Sequence, residues 1–166
     1  RRYCLVTIMV QAYNFLAAWQ LFPEKGHYEN GERPKSGIYK IESPDGKKEL
    51  FIYHNWVTLE NQALSSEYHI PADGALNPFL QIELADQVQV IFIDSITFEI
   101  HFYKKGEAVL HIVHEIMPNG YLKIIQQGVK ENSASYTNTE YYHKQLSVLP
   151  YSASVAGAVI KANEEG

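Results

Sequence analysis

The sequence predicts an all-β protein, an antiparallel up-and-down β-barrel of about 8–10 strands, with a short helix as one option for the C-terminal tail. Three observations carry this. Between Trp19 and Tyr142 no run repeats at helical period. Short segments alternate apolar and polar residues instead, as half-buried strands do. Turn-forming clusters separate them: Pro44-Asp45-Gly46, Lys104-Lys105-Gly106 and Pro118-Asn119-Gly120, with Asp73-Gly74 in a longer connection that holds Pro71 and Pro78. Neighbours joined by such tight links form a meander, and closing it into a barrel removes the unpaired edges.

The 166 residues are enough for one domain. Residues 1–13 read as an N-terminal extension, 14–146 as the barrel and 147–166 as a C-terminal tail. The extension runs from Arg1-Arg2 through an apolar stretch, Tyr3 to Val10, to Val10-Gln11-Ala12. Basic, then apolar, then small is the order found in the tail of a secretory signal. The preferred reading is a start at Met9, with residues 1–8 upstream of it. The expected compartment is then the cytoplasm, or a secreted or periplasmic one if residues 1–12 are a signal remnant. No run reaches the ~18 apolar residues of a membrane span. Strands are expected at residues 17–22, 37–42, 48–58, 66–70, 79–84, 87–93, 97–104, 107–117, 121–128 and 134–145. The tail from Ser152 to Ala162 is small and weakly apolar, suited to a short helix on the barrel's outside or to fraying. Residues 163–166 are expected to be disordered.

Turn chemistry fixes an expected register. A three-residue loop at Lys104-Lys105-Gly106, with Gly in the left-handed position, sets Tyr103 opposite Glu107. It sets Phe102, Ile100 and Phe98 opposite Ala108, Leu110 and Ile112. One face is then wholly apolar, whereas a two-residue loop mixes His and Glu into both faces. The same loop type at Pro118-Asn119-Gly120 sets Ile116 opposite Leu122 and His114 opposite Ile124. It also pairs Glu115 with Lys123 on the outer face, a favourable charge pair. The common inner face is Phe98, Ile100, Phe102, Ala108, Leu110, Ile112, His114, Ile116, Leu122, Ile124 and Gln126. A two-residue turn at Asp45-Gly46 pairs Ile41 with Leu50 and Tyr39 with Ile52, giving an inner face of Tyr39, Ile41, Leu50, Ile52, His54 and Trp56. It also sets Glu42 opposite Glu49, which is unfavourable.

Charge narrows the function. With 14 Lys and Arg against 19 Asp and Glu, the net charge is −5. Partners that present phosphates, whether nucleic acid or an anionic membrane surface, are therefore not expected. The single Cys4 allows no internal disulfide and no Cys-based zinc site. Ser-His-Asp spacing, a Gly-rich phosphate loop and His-Glu-x-x-His are all absent from the sequence.

The inner faces combine Tyr39, Trp56, Phe98 and Phe102 with a few polar groups, His54, His114 and Gln126. Apolar walls with sparse polar anchors are the usual form of a small-molecule site, so these seven are the candidate ligand-binding residues. No inward Arg is evident, so the expected ligand is small, mostly apolar or weakly polar, and neutral. The expected function is non-catalytic, a carrier or sensor with no cofactor and no metal. Two alternatives stay open: an enzyme of isomerase or lyase type using an inward His as acid or base, and an interaction module whose barrel is filled. The plainer reading of His54 and His114 is a buried imidazole satisfied by Tyr or backbone groups. On the outer face Glu99 is expected opposite His111, with His101 diagonal. That group is read as a solvated surface, with zinc capture as the alternative. The Tyr-rich closing strand offers either phenol donors to the interior or ordinary aromatic packing.

Phe15-Leu16-Ala17-Ala18-Trp19-Gln20-Leu21 resembles the opening of lipocalin-like proteins of the calycin superfamily, with Ala17 where the family's Gly stands before the Trp. Tyr28-Glu29-Asn30-Gly31 and Pro34-Lys35-Ser36-Gly37-Ile38-Tyr39 resemble a group of small lipocalin-like domains. Tyr136-Thr137-Asn138-Thr139-Glu140-Tyr141-Tyr142 resembles that group's closing strand. The resemblance spans roughly residues 14–145 and implies a barrel with a ligand inside. It also implies a basic residue of the last strand, Lys144 or His143, set against Trp19. It does not extend to fatty-acid-binding proteins. Residues 23–36 are too rich in Pro, Gly and charge for their helical lid, and no Arg follows Arg33 to bind a carboxylate.

Overall fold

Alternating segments become strands where one face can be buried, and the computed structural model of the protein describes this for residues 12–44 and 48–146. The signal-like extension up to residue 11, the Asp45-Gly46 turn and the tail from residue 147 lie outside the described residues. Eleven strands form: β1 (Ala17–Leu21), β2 (His27–Tyr28), β3 (Ser36–Glu42), β4 (Glu49–Val57), β5 (Ala63–Pro71), β6 (Asn77–Pro78), β7 (Gln87–Asp94), β8 (Thr97–Lys104), β9 (Glu107–Ile116), β10 (Leu122–Val129) and β11 (Ser135–Lys144). Ten of them make one antiparallel path, β5-β4-β3-β1-β11-β10-β9-β8-β7-β6, and β2 pairs with β11 beside it. The path curls into a nearly closed barrel in which β5 comes to lie beside β7. The complete helical elements among the described residues are two single 3₁₀ turns, Tyr13–Phe15 and Pro23–Lys25. Among the described residues no helix is long and apolar enough to cross a membrane.

Three connections share one geometry. In Met117–Tyr121, Lys130–Ala134 and Thr58–Gln62 the outer residues exchange a backbone bond, and the left-handed position is held by Gly120, Ser133 and Asn61. This three-residue loop is the one expected at Pro118-Asn119-Gly120, and the register there is as expected: Ile116 faces Leu122, His114 faces Ile124 and Glu115 faces Lys123. The other two loops carry Ser or Asn where Gly would have signalled the turn, so β5 begins three residues earlier than the sequence suggests.

Two other hairpins differ from expectation by a two-residue slip. Lys105 and Gly106 both have positive φ, 49° and 80°, and form a two-residue turn of the primed type that suits strand twist. The parity cost of the shorter turn is absorbed by a bulge at Val109, so Tyr103 faces Ala108 while Phe102 faces Leu110. Ala108 therefore lies on the outer face and is exposed. Ile100 faces Ile112, Phe98 faces His114, and His101, rather than Glu99, stands opposite His111. At the first hairpin Ile41 pairs with Ile52 and Tyr39 with His54. Glu42 consequently meets Phe51, which removes the clash with Glu49. A slip of two preserves which face each residue occupies. Phe98, Ile100, Ile112 and Ile124 are accordingly all buried on the inner face, with Leu110 half-buried among them.

The expected strand at 79–84 does not form; residues 79 and 80 are irregular and 81–84 are bends and turns. They span the seam between β5 and β7, where spacing matters more than period. Phe79 and Ala85 are buried, while Leu80 is 85% exposed. Gln81 replaces a strand pairing with its side chain: its Oε1 accepts from His69 N at 2.8 Å and its Nε2 donates to His69 O at 2.7 Å. Beneath it Tyr68, Phe79 and Phe102 pack ring to ring at 5.4–6.2 Å. Elsewhere the core is set by Trp19, whose indole donates to Phe15 O at 3.0 Å. This ties the Tyr13–Phe15 turn over the barrel's interior. Trp19 and Phe15 expose 1% and 0% of their surface.

Candidate functional site in the barrel interior

Period two on β3 and β4 directs Tyr39, His54 and Trp56 inward, and on β8, β9 and β10 it directs Phe98, Phe102, His114 and Gln126 inward. The seven expected residues thus share one interior, and five of them are contiguous. His54 packs on Trp56 at 4.7 Å and on Tyr39 at 5.4 Å. Tyr39 Oη lies 2.9 Å from His114 Nε2, and the His114 ring stacks on Phe98 at 4.1 Å and 8°. Phe102 sits apart from this chain, in the seam cluster with Tyr68 and Phe79. Gln126 donates through Nε2 to Tyr136 Oη at 2.9 Å. Tyr136 lies across Gly128, where an added Cβ would come within 2.7 Å of the hydroxyl. Gly128→Ala should therefore displace Tyr136 and release Gln126, read as a changed Tyr136 ring environment in NMR with little change in circular dichroism.

Four further polar groups enter the interior. Glu140 accepts from Tyr28 Oη at 2.7 Å and from Tyr142 Oη at 3.1 Å. Tyr68 couples to the hydroxyl of Tyr39. The sequence carried Tyr28 and the closing strand as motif residues, but gave them no inward direction. The Ser133 loop that sets the parity of β11 lacks a Gly signal, and a carboxylate is not an expected inward residue.

Burial dominates the electrostatics. It lowers His54 to about 4. It lowers His114 to about 3, the Ile112 and Phe98 carbonyls opposing it only in part. Both imidazoles are therefore neutral at pH 7. Burial raises Tyr68 to about 12, holds Tyr39 and Tyr142 well above the usual phenol range, and raises Glu140 against the hydrogen bonds from Tyr28 and Tyr142.

The interior is layered. Phe98, Phe102 and His114 expose 0–1% and Tyr39 5%; these form a floor. Above them His54, Trp56, Tyr68, Gln126 and Glu140 are only half-buried. Three of these, His54, Tyr68 and Glu140, are surrounded deeply enough for burial to move their pKa values, yet solvent still touches them. Two ring nitrogens here are buried and make no hydrogen bond of ordinary geometry, His54 Nε2 and His114 Nδ1. Among the described residues the group with metal-ligand geometry is elsewhere, on the outer face: Glu99, His101 and His111.

No protein-family model matches the chain, and no curated protein is significantly similar to it.

Proposed function

We propose that the barrel is a lipocalin-like binding protein that takes a small, neutral, mostly apolar molecule into its interior, beside the half-buried residues above Tyr39 and His114. The observation that carries this is His54: a half-buried, neutral imidazole whose Nε2 is buried with no hydrogen-bond partner among the described residues, beside the Trp56 and Tyr39 rings. A buried polar atom without a partner costs roughly 1–3 kcal/mol, and a hydroxyl or amide on a ligand would relieve it. Trp56, Tyr68, Gln126 and Glu140 supply the remaining wall and polar contacts. The register supports the lipocalin-like reading, because Lys144 of the last strand stands opposite Trp19 of the first, while His143 stands opposite Gln20.

The acid–base alternative is disfavoured by the same imidazoles. General bases work best with pKa values near the working pH, and values of about 3 and 4 make weak bases. The filled-barrel alternative describes the floor, whose side chains are fully buried, while the residues above it are half-buried.

Native mass spectrometry of freshly purified protein should show a co-purifying small molecule. Titration with neutral, hydroxyl-bearing apolar probes should shift tryptophan emission in the parent and not in Trp56→Phe, since Trp19 is sealed in the core. His54→Leu should weaken the hydroxylated probe about tenfold, one hydrogen bond's worth. The proposal fails if no probe perturbs Trp56, or if only multiply charged anions bind in the barrel.

A further inference from the structure

The outer face of β7–β10 carries a row of side chains that the interior does not explain. Directly paired residues run Gln89, His101, His111, Gln127 across four strands. The adjacent row runs Ile91, Glu99, Val113, Ile125. A single carboxylate thus lies among aliphatic residues, one strand repeat away from two facing imidazoles. Its described ion-pair partners are those two rings: Glu99 Oε1 is 2.5 Å from His111 Nε2 and 3.8 Å from His101 Nε2. The rings stack at 4.2 Å and 20°. The three side chains are only 22–29% exposed, which is low for charged groups on an outer face.

The hydrogen bonds give the cluster a direction. His111 Nδ1 lies 3.2 Å from Gln127 Oε1, an acceptor, so Nδ1 carries the proton. Nε2 of the neutral ring is then a bare lone pair aimed at a carboxylate oxygen, and two acceptors at that distance need a cation between them. A proton on Nε2 can serve. It makes an imidazolium, however, stacked on a second imidazole at 4.2 Å. A divalent metal held by both rings and the carboxylate takes that proton's place once the short contact opens. A carbonyl on the distal nitrogen is also the usual device for orienting a metal-bound His.

We propose that Glu99, His101 and His111 form a zinc site, with His101 Nε2, His111 Nε2 and a Glu99 carboxylate oxygen as ligands and Gln127 as the orienting partner of His111. The three ligand atoms already lie within 4.8 Å of one another. A tetrahedral ion with bonds of ~2.0–2.1 Å needs its ligands about 3.3 Å apart. Opening the His111–Glu99 contact and closing the His101–Glu99 contact by rotamer adjustment reaches that spacing, while the strands stay fixed. Two imidazoles and one carboxylate suit zinc better than magnesium or calcium, which prefer all-oxygen sets. Three protein ligands leave a fourth position toward solvent for water or a small anion.

Zinc chloride titrated calorimetrically into the full chain at neutral pH should give saturable uptake of one ion per chain, undisturbed by excess magnesium. His101→Ala, His111→Ala and Glu99→Gln should each weaken uptake about tenfold or more, and Gln127→Leu should weaken it by a similar or smaller factor. Glu115→Gln, a neighbouring outer-face carboxylate, should leave it unchanged. Cobalt substituted for zinc should give the intense visible bands of a four-coordinate ion in the parent and lose them in His101→Ala. Circular dichroism reads whether each variant is folded. The proposal is overturned if the parent takes up no zinc saturably, or if uptake survives both His substitutions in folded protein.

Discussion

Phe98→Ala is expected to destabilise the barrel by about 3–5 kcal/mol, among the largest effects a single interior truncation can produce here. Phe98 exposes nothing. Its ring meets Phe15 edge-on at 4.7 Å and 88°, stacks on His114 and touches Phe92 at 5.5 Å. Its loss therefore combines the transfer term of a large aromatic with a cavity that fixed strands cannot close. The urea midpoint should fall with an unchanged m-value, as for a pure stability effect. Ile112→Val, one methyl on the next row of the same face, should cost only about 0.5–1.5 kcal/mol. If Phe98→Ala unfolds at the parent's midpoint, the floor of the interior is not packed as described.

Stability should also fall steeply in mild acid. His54 and His114 have depressed folded-state values, about 4 and about 3, against 6.5 for the unperturbed group. The unfolded chain therefore binds protons that the folded chain refuses. The contribution is complete above pH 6.5 and is lost as pH falls from there toward 4 and below. Each group steepens the decline by up to about 1.4 kcal/mol per pH unit in that window, so the pair gives at most about 2.7. Glu140 has the opposite sign. Its raised value makes the folded state take up a proton first, so its contribution is present below 4.5 and lost as pH rises through the folded value. It offsets part of the loss at the acid end. Urea midpoints measured between pH 7 and 4 should show the decline, and a His54→Gln, His114→Gln variant should flatten it. An equally steep decline in that variant would place the acid sensitivity elsewhere.

The architecture was legible because a period of two survives errors of register. The hairpins at Gly106 and Asp45 were each read two residues out of place, yet Tyr39, His54, Trp56, Phe98, Phe102 and His114 still belong to the inner face. Ala108 was misplaced because the Val109 bulge beside it reverses parity, and no residue type in Ala108-Val109-Leu110 announces a bulge. Residues 79–84 were misread for a different reason: a closure made by one glutamine side chain has no backbone periodicity to detect. The floor of the interior was readable for the same reason as the strands. Glu140 and Tyr68 were not, because their orientation depends on turns at Ser133 and Asn61 that use an uncommon left-handed residue.

The amide of Gln81 that bridges to His69 has a consequence for how the barrel moves. The other junctions described along the path are ladders of main-chain bonds, whereas here the edge of β5 is held by a glutamine side chain with aromatic rings behind it. Breathing of the cylinder should therefore begin there, and the His69 amide proton should exchange with deuterium well ahead of its neighbours Tyr68 and Ile70. The same glutamine occupies the His69 position on the rim of β5 at which another polypeptide would otherwise dock edge to edge. A hydrogen-bonding side chain thus acts as both latch and stopper: released, it loosens the seam, and closed, it occupies the edge amide and carbonyl that an incoming strand would use.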